Sequence, residues 1–155
     1  MKQDVFSKNT YYEGLLQNLY AGSSGCFVFF MKLFYQYNQI AVFSQENIEV
    51  FDKMMQSELG NCKILSQMIV EMGGDNKFFS SSKKFLSGAN VEYCKNIGQI
   101  FMSDIETLEL HVIEVKNLIS KIENFKIREK LKTILKNKQE NLILLRKNFF
   151  KNNLI

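Results

Sequence analysis

The sequence predicts an all-α protein, an antiparallel four-helix bundle with one long crossover between its second and third helices. Three observations predict it. The 155 residues contain no proline and only eight glycines, so the chain has few obligatory breaks. Apolar residues recur at three- and four-residue steps over four segments, the period of an amphipathic helix. Between the second and third segments lies a Ser- and Gly-rich stretch too long for a simple helix hairpin. This length and an apolar fraction of 46% suit a single domain, residues 1–155, with a full core.

The first helix is expected over about 9–39, where Leu15, Leu16, Leu19, Phe27, Phe30, Phe34 and Tyr37 form the apolar stripe. The second is expected over about 44–72. Ser44 is its N-cap, Gly73-Gly74 its stop, and Ile48, Phe51, Met55, Leu59, Cys62, Leu65, Ile69 and Met72 its stripe. A crossover loop over about 75–90 holds Ser80-Ser81-Ser82 and Ser87-Gly88, with Phe78, Phe79 and Phe85 to pin it. The third and fourth helices are expected over about 91–123 and 126–151, separated by the short break at 123–125. Two helix pairs joined by one long connection make a four-helix bundle.

The net charge is +4, and it is uneven: from Lys121 to Ile155, Lys and Arg outnumber Asp and Glu by ten to three. A basic face attracts nucleic acid or anionic lipid. No aromatic-interleaved basic motif or Gly-rich phosphate loop accompanies it, so a solvated helix face is expected and no nucleic acid. Met1-Lys2-Gln3-Asp4 opens no signal peptide. The apolar run from Gly25 to Met31 ends at Lys32, too short to span a bilayer, so no transmembrane segment is expected. Cys26, Cys62 and Cys94 are an odd number without a C-x-x-C pattern, which argues for reduced thiols and a cytoplasmic protein.

Four segments, in order, resemble a known family. Tyr11 to Gln36 carries an Ala-Gly-Ser stretch before a ligand position and ends in Tyr35-Gln36. Glu58 to Asp75 is similar to a Glu-x-x-His-x-x-Ile-Leu signature closing in Gly-Gly-Asp. Ser87 to Tyr93 follows a Ser-Gly-x-x-Val-x-Tyr entry into the third helix, and Met102 to Glu106 the start of its Glu-bearing part. Together they resemble the bacterial ferritin-like, rubrerythrin-related four-helix bundles. The resemblance implies ferritin-type connectivity and a di-metal site of four glutamates and two histidines, each histidine three residues after a glutamate.

Carried onto this sequence, the ligand positions fall on Cys26, Glu58, Asn61, Leu108, Lys138 and Asn141. Only Glu58 retains a ligand of the family's type. A lysine ammonium has donors alone and cannot ligate a metal while protonated. The resemblance therefore implies a degenerate di-iron site with no metal ligands and no catalytic residues. Because the second- and fourth-helix glutamates of the family reach one metal pair, Glu58 and Lys138 are expected as a buried ion pair. Asn61 and Asn141 should serve its remaining donors and acceptors. Cys26 and Leu108 become apolar fill. His111, the one histidine, reads as an ordinary surface or hydrogen-bonded residue.

The expected function is that of a pseudo-enzyme: a non-catalytic, structural or protein-interaction subunit without a cofactor, acting as a homodimer or with a protein partner. The alternative is a ferritin-like, rubrerythrin-type metal-binding protein in iron handling or peroxide defence. It would hold Fe or Mn at a site rearranged from Cys26, Glu58, Glu106, Glu109 and His111. A third reading is an anion-binding module built on the basic last helix.

Overall fold

The computed structural model describes residues 10–152, and for Thr10 the backbone alone. Met1–Asp4, where the sequence argues against a leader, and Asn9, where the first helix was expected to start, lie outside the described residues. The described chain is helical: α1 (Thr10–Ala21), α2 (Cys26–Phe43), α3 (Ile48–Glu71), α4 (Ile97–Lys121) and α5 (Phe125–Lys151), with single 3-10 turns at Gln45–Asn47 and Gly88–Asn90. Among the described residues the extended pairing is one isolated bridge, Phe79 to Phe85. The four long helices α2–α5 pack together: α4 on α5, α2 on α3 and α3 on α5, while the short α1 lies against α3 and α2. No helix among the described residues is long and apolar enough to cross a membrane.

The first expected helix is two. Gly22-Ser23-Ser24-Gly25 ends α1 and starts α2 anew. The turn is tight enough to require glycine: a Cβ on Gly22 would stand 2.5 Å from the Asn18 carbonyl oxygen, and one on Gly25 2.7 Å from that of Leu19. The break places Cys26 at the start of α2, pointing into the core.

The expected stripe of α2 is displaced, whereas that of α3 is met at Phe51, Cys62, Leu65, Ile69 and Met72, which are buried. The buried line of α2 is Cys26, Phe29, Leu33, Gln36 and Ile40, so the Phe27, Phe30, Phe34, Tyr37 stripe lies on its flank and Phe34 is exposed. The deepest line of α3 runs Phe51, Met54, Glu58, Asn61, Leu65 and Met68. In α4 it runs Phe101, Asp104, Leu108, His111, Val115 and Leu118; in α5, Ile127, Leu131, Ile134, Lys138, Asn141 and Leu145. Alternating steps of three and four keep each line facing the bundle axis.

Polar groups on those lines split the apolar core in two. One half gathers Leu16, Leu19, Cys62, Leu65, Met68, Leu118, Leu131 and Ile134. The other gathers Phe29, Leu33, Phe51, Met54, Phe101, Leu108, Leu142 and Leu145. Along α3, α4 and α5, the residues Glu58, Asn61, His111, Lys138 and Asn141 fall between the two halves.

The connection between α3 and α4 is longer than the sequence suggested, running from Met72 to Asn96. Gly73, at φ 79°, ends α3 in a left-handed cap: its N–H reaches the Val70 carbonyl at 2.9 Å, and that of Gly74 reaches Ile69 at 2.9 Å. The segment is tied to α1, since Gln17 donates to the carbonyls of Lys77 and Phe79 and Tyr20 to that of Asn76. Phe78 stacks on Phe27 with centroids 4.5 Å apart. Asn96 and Asn124 cap α4 and α5 by accepting from the Gln99 and Ile127 amides.

Candidate functional site

The mid-core polar layer is organised around one ammonium. Lys138, from α5, reaches across the bundle and donates to the Glu58 carboxylate of α3. Its Nζ lies 2.7 Å from Nδ1 of His111, on α4, and beside the Cys26 thiol at the start of α2. The Phe29 ring centroid is 5.3 Å from Nζ, close enough for a cation–π contribution. Both side chains of the ion pair are 0% exposed.

The chemistry of these neighbours fixes their protonation. An ammonium has no acceptor, so Nδ1 of His111 must accept from it. The ring proton then sits on Nε2, which donates to the Ser24 carbonyl at 2.7 Å. Burial and the adjacent Lys138 charge push the His111 pKa down to about 3, so the ring is neutral. Burial pushes the Cys26 thiol well above the ordinary range, which leaves it protonated. Burial opposes the Lys138 charge, but the Glu58 carboxylate, by its charge and its hydrogen bond, raises the Lys138 pKa. With Cys26 a neutral thiol, the true countercharge is Glu58.

Of the two asparagines, Asn61 touches the pair. Its amide donates to the second Glu58 oxygen at 3.4 Å, and its own oxygen accepts from Asn137 at 2.8 Å. Asn141 instead donates to Ser57 at 3.0 Å, so its expected role at the pair is corrected. Leu108 is fully buried in the apolar half that contains Phe29. His111 is hydrogen-bonded, as one of its two expected readings had it, but it is not at the surface: it is 2% exposed and bridges Ser24 to Lys138. Its place three residues after Leu108, on the same helix face, was the available signal.

The rearranged site imagined for Fe or Mn is not assembled. Glu106 is exposed, and Glu109 forms a surface ion pair with Arg146. Cys26, Glu58 and His111 do converge, with ligand atoms within 4.8 Å of one another. That set has one carboxylate and encloses a lysine ammonium. It does not fit a di-iron or di-manganese centre, which needs several bridging and charge-balancing carboxylates.

A second buried polar centre escaped the sequence reading. Lys32 of α2 lies 3.1 Å from Asp104 of α4, 2.5 Å from the Ser103 hydroxyl and 3.6 Å from Glu92. Gln36 donates to the same Asp104 oxygen at 3.0 Å. The other Asp104 oxygen and the Gln36 carbonyl are buried without a hydrogen-bond partner among the described residues. Burial, opposed by Lys32, pushes the Asp104 pKa up to about 6. A cleft of about 260 Å³ is lined by one member of each centre, His111 and Lys32, together with Phe29 and Glu92.

Comparison with family models, with curated proteins and with solved structures gives no match to this chain.

Proposed function

We propose that this chain is a ferritin-like antiparallel bundle whose di-metal site has become an ion-pair network, and that it acts as a non-catalytic structural or protein-interaction subunit. The observation that carries the reading is the position of Lys138 Nζ. It contacts Glu58, His111 and Cys26, the groups that would otherwise hold a cation. A tethered ammonium neutralises the buried carboxylate and brings no redox or Lewis-acid chemistry.

A surface role directs attention to α2. Its aromatic flank lines an apolar groove of about 550 Å³ with Phe30, Phe34, Tyr35, Val91 and Tyr93, and Phe34 and Tyr93 are each more than half exposed. The occupant to test first is a second copy of this chain.

Two measurements test the reading. Elemental analysis after anaerobic reconstitution with Fe(II) and Mn(II) should find far less than one metal per chain; a stoichiometric, tightly held metal would sink the non-catalytic assignment. Sedimentation equilibrium should find a dimer that Phe34→Glu dissociates. A monomer at all concentrations would remove self-association and leave a heterologous partner.

A further inference from the structure

We infer that Cys26, Glu58 and His111 form a latent mononuclear site for a thiophilic divalent cation of the zinc(II) type, kept closed by the side chain of Lys138. This goes beyond the subunit role proposed above and does not depend on it.

The donor set points to the metal class. One thiolate, one imidazole and one carboxylate are borderline-soft ligands of the kind zinc(II) and cobalt(II) take, and they differ from the oxygen-rich set that iron or manganese prefers. Donors on one tetrahedral zinc, at about 2.0–2.3 Å from the metal, stand roughly 3.3–3.8 Å apart. The three atoms here already lie within 4.8 Å of one another. A closure of about an ångström by side-chain rotation completes the geometry, leaving a fourth position for water.

The supporting groups are in place. A ligating histidine normally donates its distal N–H to a carbonyl or carboxylate, which fixes the tautomer. His111 does so through Nε2 to Ser24, and so aims the lone pair of Nδ1 at the cluster. A ligating carboxylate is normally hydrogen-bonded on its free oxygen, and Asn61 supplies that bond to Glu58. Of the three donors, His111 lines a cleft of about 260 Å³, while Cys26 and Glu58 lie behind it in the core.

Charge balance is the decisive point. With Lys138 present, one ammonium cancels one carboxylate. With Lys138 removed, a divalent cation binds as the Cys26 thiol releases its proton to solvent, and two positive charges meet thiolate and carboxylate. The buried site is neutral in both states, so one cation replaces the other without leaving an uncompensated charge.

The test titrates cobalt(II) into the full chain and into Lys138→Met, Lys138→Ala and Lys138→Met/Cys26→Ser. Lys138→Met keeps most of the side-chain volume. One cobalt per chain is expected in the two single variants, with a thiolate-to-cobalt charge-transfer band that Cys26→Ser removes. Cys62→Ser, in the Lys138→Met background, should retain the band. The unsubstituted chain should show no such band at cobalt concentrations that saturate the two single variants. If Lys138→Ala does not fold alone, zinc(II) should restore its helical circular dichroism. A folded Lys138 variant that binds no cobalt would overturn the inference. So would a band that survives Cys26→Ser, or an unfolded variant that zinc leaves unfolded.

Discussion

Two lysines are buried among the described residues, and they differ in what surrounds them. Lys138 meets one carboxylate, a neutral thiol and a neutral imidazole, so its neighbourhood sums to zero and its close neighbours are bonded. Lys32 meets two carboxylates, Asp104 and Glu92, and the sum is one negative charge. Glu92 reaches solvent, with its side chain 64% exposed, and can be screened there. Asp104 is fully buried with one oxygen unpartnered, and its pKa rises to about 6. A balanced centre holds its protons fixed across the physiological range, whereas an unbalanced one titrates. Burial is equally complete for Lys138 and Asp104 and is the largest cause of the Asp104 shift; the two centres differ in how far their partners offset it, since Asp104 keeps one unpartnered oxygen and has Glu92 nearby.

The largest effect should come from unbalancing the first centre. Lys138→Ala strands Glu58 in the core, and urea unfolding should show a loss of about 3–5 kcal/mol. A loss below about 1 kcal/mol would mean that Glu58 finds another partner or water.

The second centre should reveal itself through pH. In the fold the Asp104 pKa is raised above its unfolded value, so its protonated form is favoured there. That contribution is fully present below about pH 4 and is lost as pH rises through about 6. The shift from 3.8 to about 6 corresponds to roughly 3 kcal/mol. Asp104→Asn should flatten this part of the stability–pH curve. An unchanged curve would show that Asp104 is ionised throughout.

Replacing the whole first pair tests whether it stabilises or only specifies. Glu58→Leu/Lys138→Met should lie within about 1–2 kcal/mol of the parent, or be more stable, because burying two apolar side chains avoids desolvating two charges. A loss as large as that of Lys138→Ala would give the network a net stabilising role. The smallest effect is expected at the surface pair Glu109–Arg146. There Arg146→Ala should cost less than about 1 kcal/mol in the same assay.

The comparison also shows what a sequence can carry. Three of the four helical segments and the glycine stop after α3 follow from local pattern and turn chemistry, and the structure has them as α3, α4 and α5, while the first segment divides into α1 and α2. The exact core lines were harder to read, because polar residues occupy core positions in each long helix: Gln36, Glu58, Asp104 and Lys138 all look solvent-facing to a hydrophobic pattern. Searching for apolar residues alone moved the α2 stripe to Phe27, Phe30 and Phe34, one position off the buried line. Glu58 and Lys138 could be related through the resemblance, whose spacing marks both. His111 had a partial signal in its place three residues after Leu108, whereas Lys32 and Asp104 had no such frame, and their meaning emerges only when α2 and α4 are brought together. The break at Gly22–Gly25 was legible as a Gly-Ser-Ser-Gly cluster, but strong apolar periodicity on both sides masked it.

Because His111 is the one histidine in the chain, nitrogen NMR of its ring reports directly on the group that Lys138 faces. From about pH 8 down to about pH 4 the ring should remain neutral, with its proton on Nε2 and Nδ1 as acceptor, since its pKa is near 3. A ring that gains a second proton near the ordinary value of about 6.5 would contradict the assignment of a buried ammonium in contact with it.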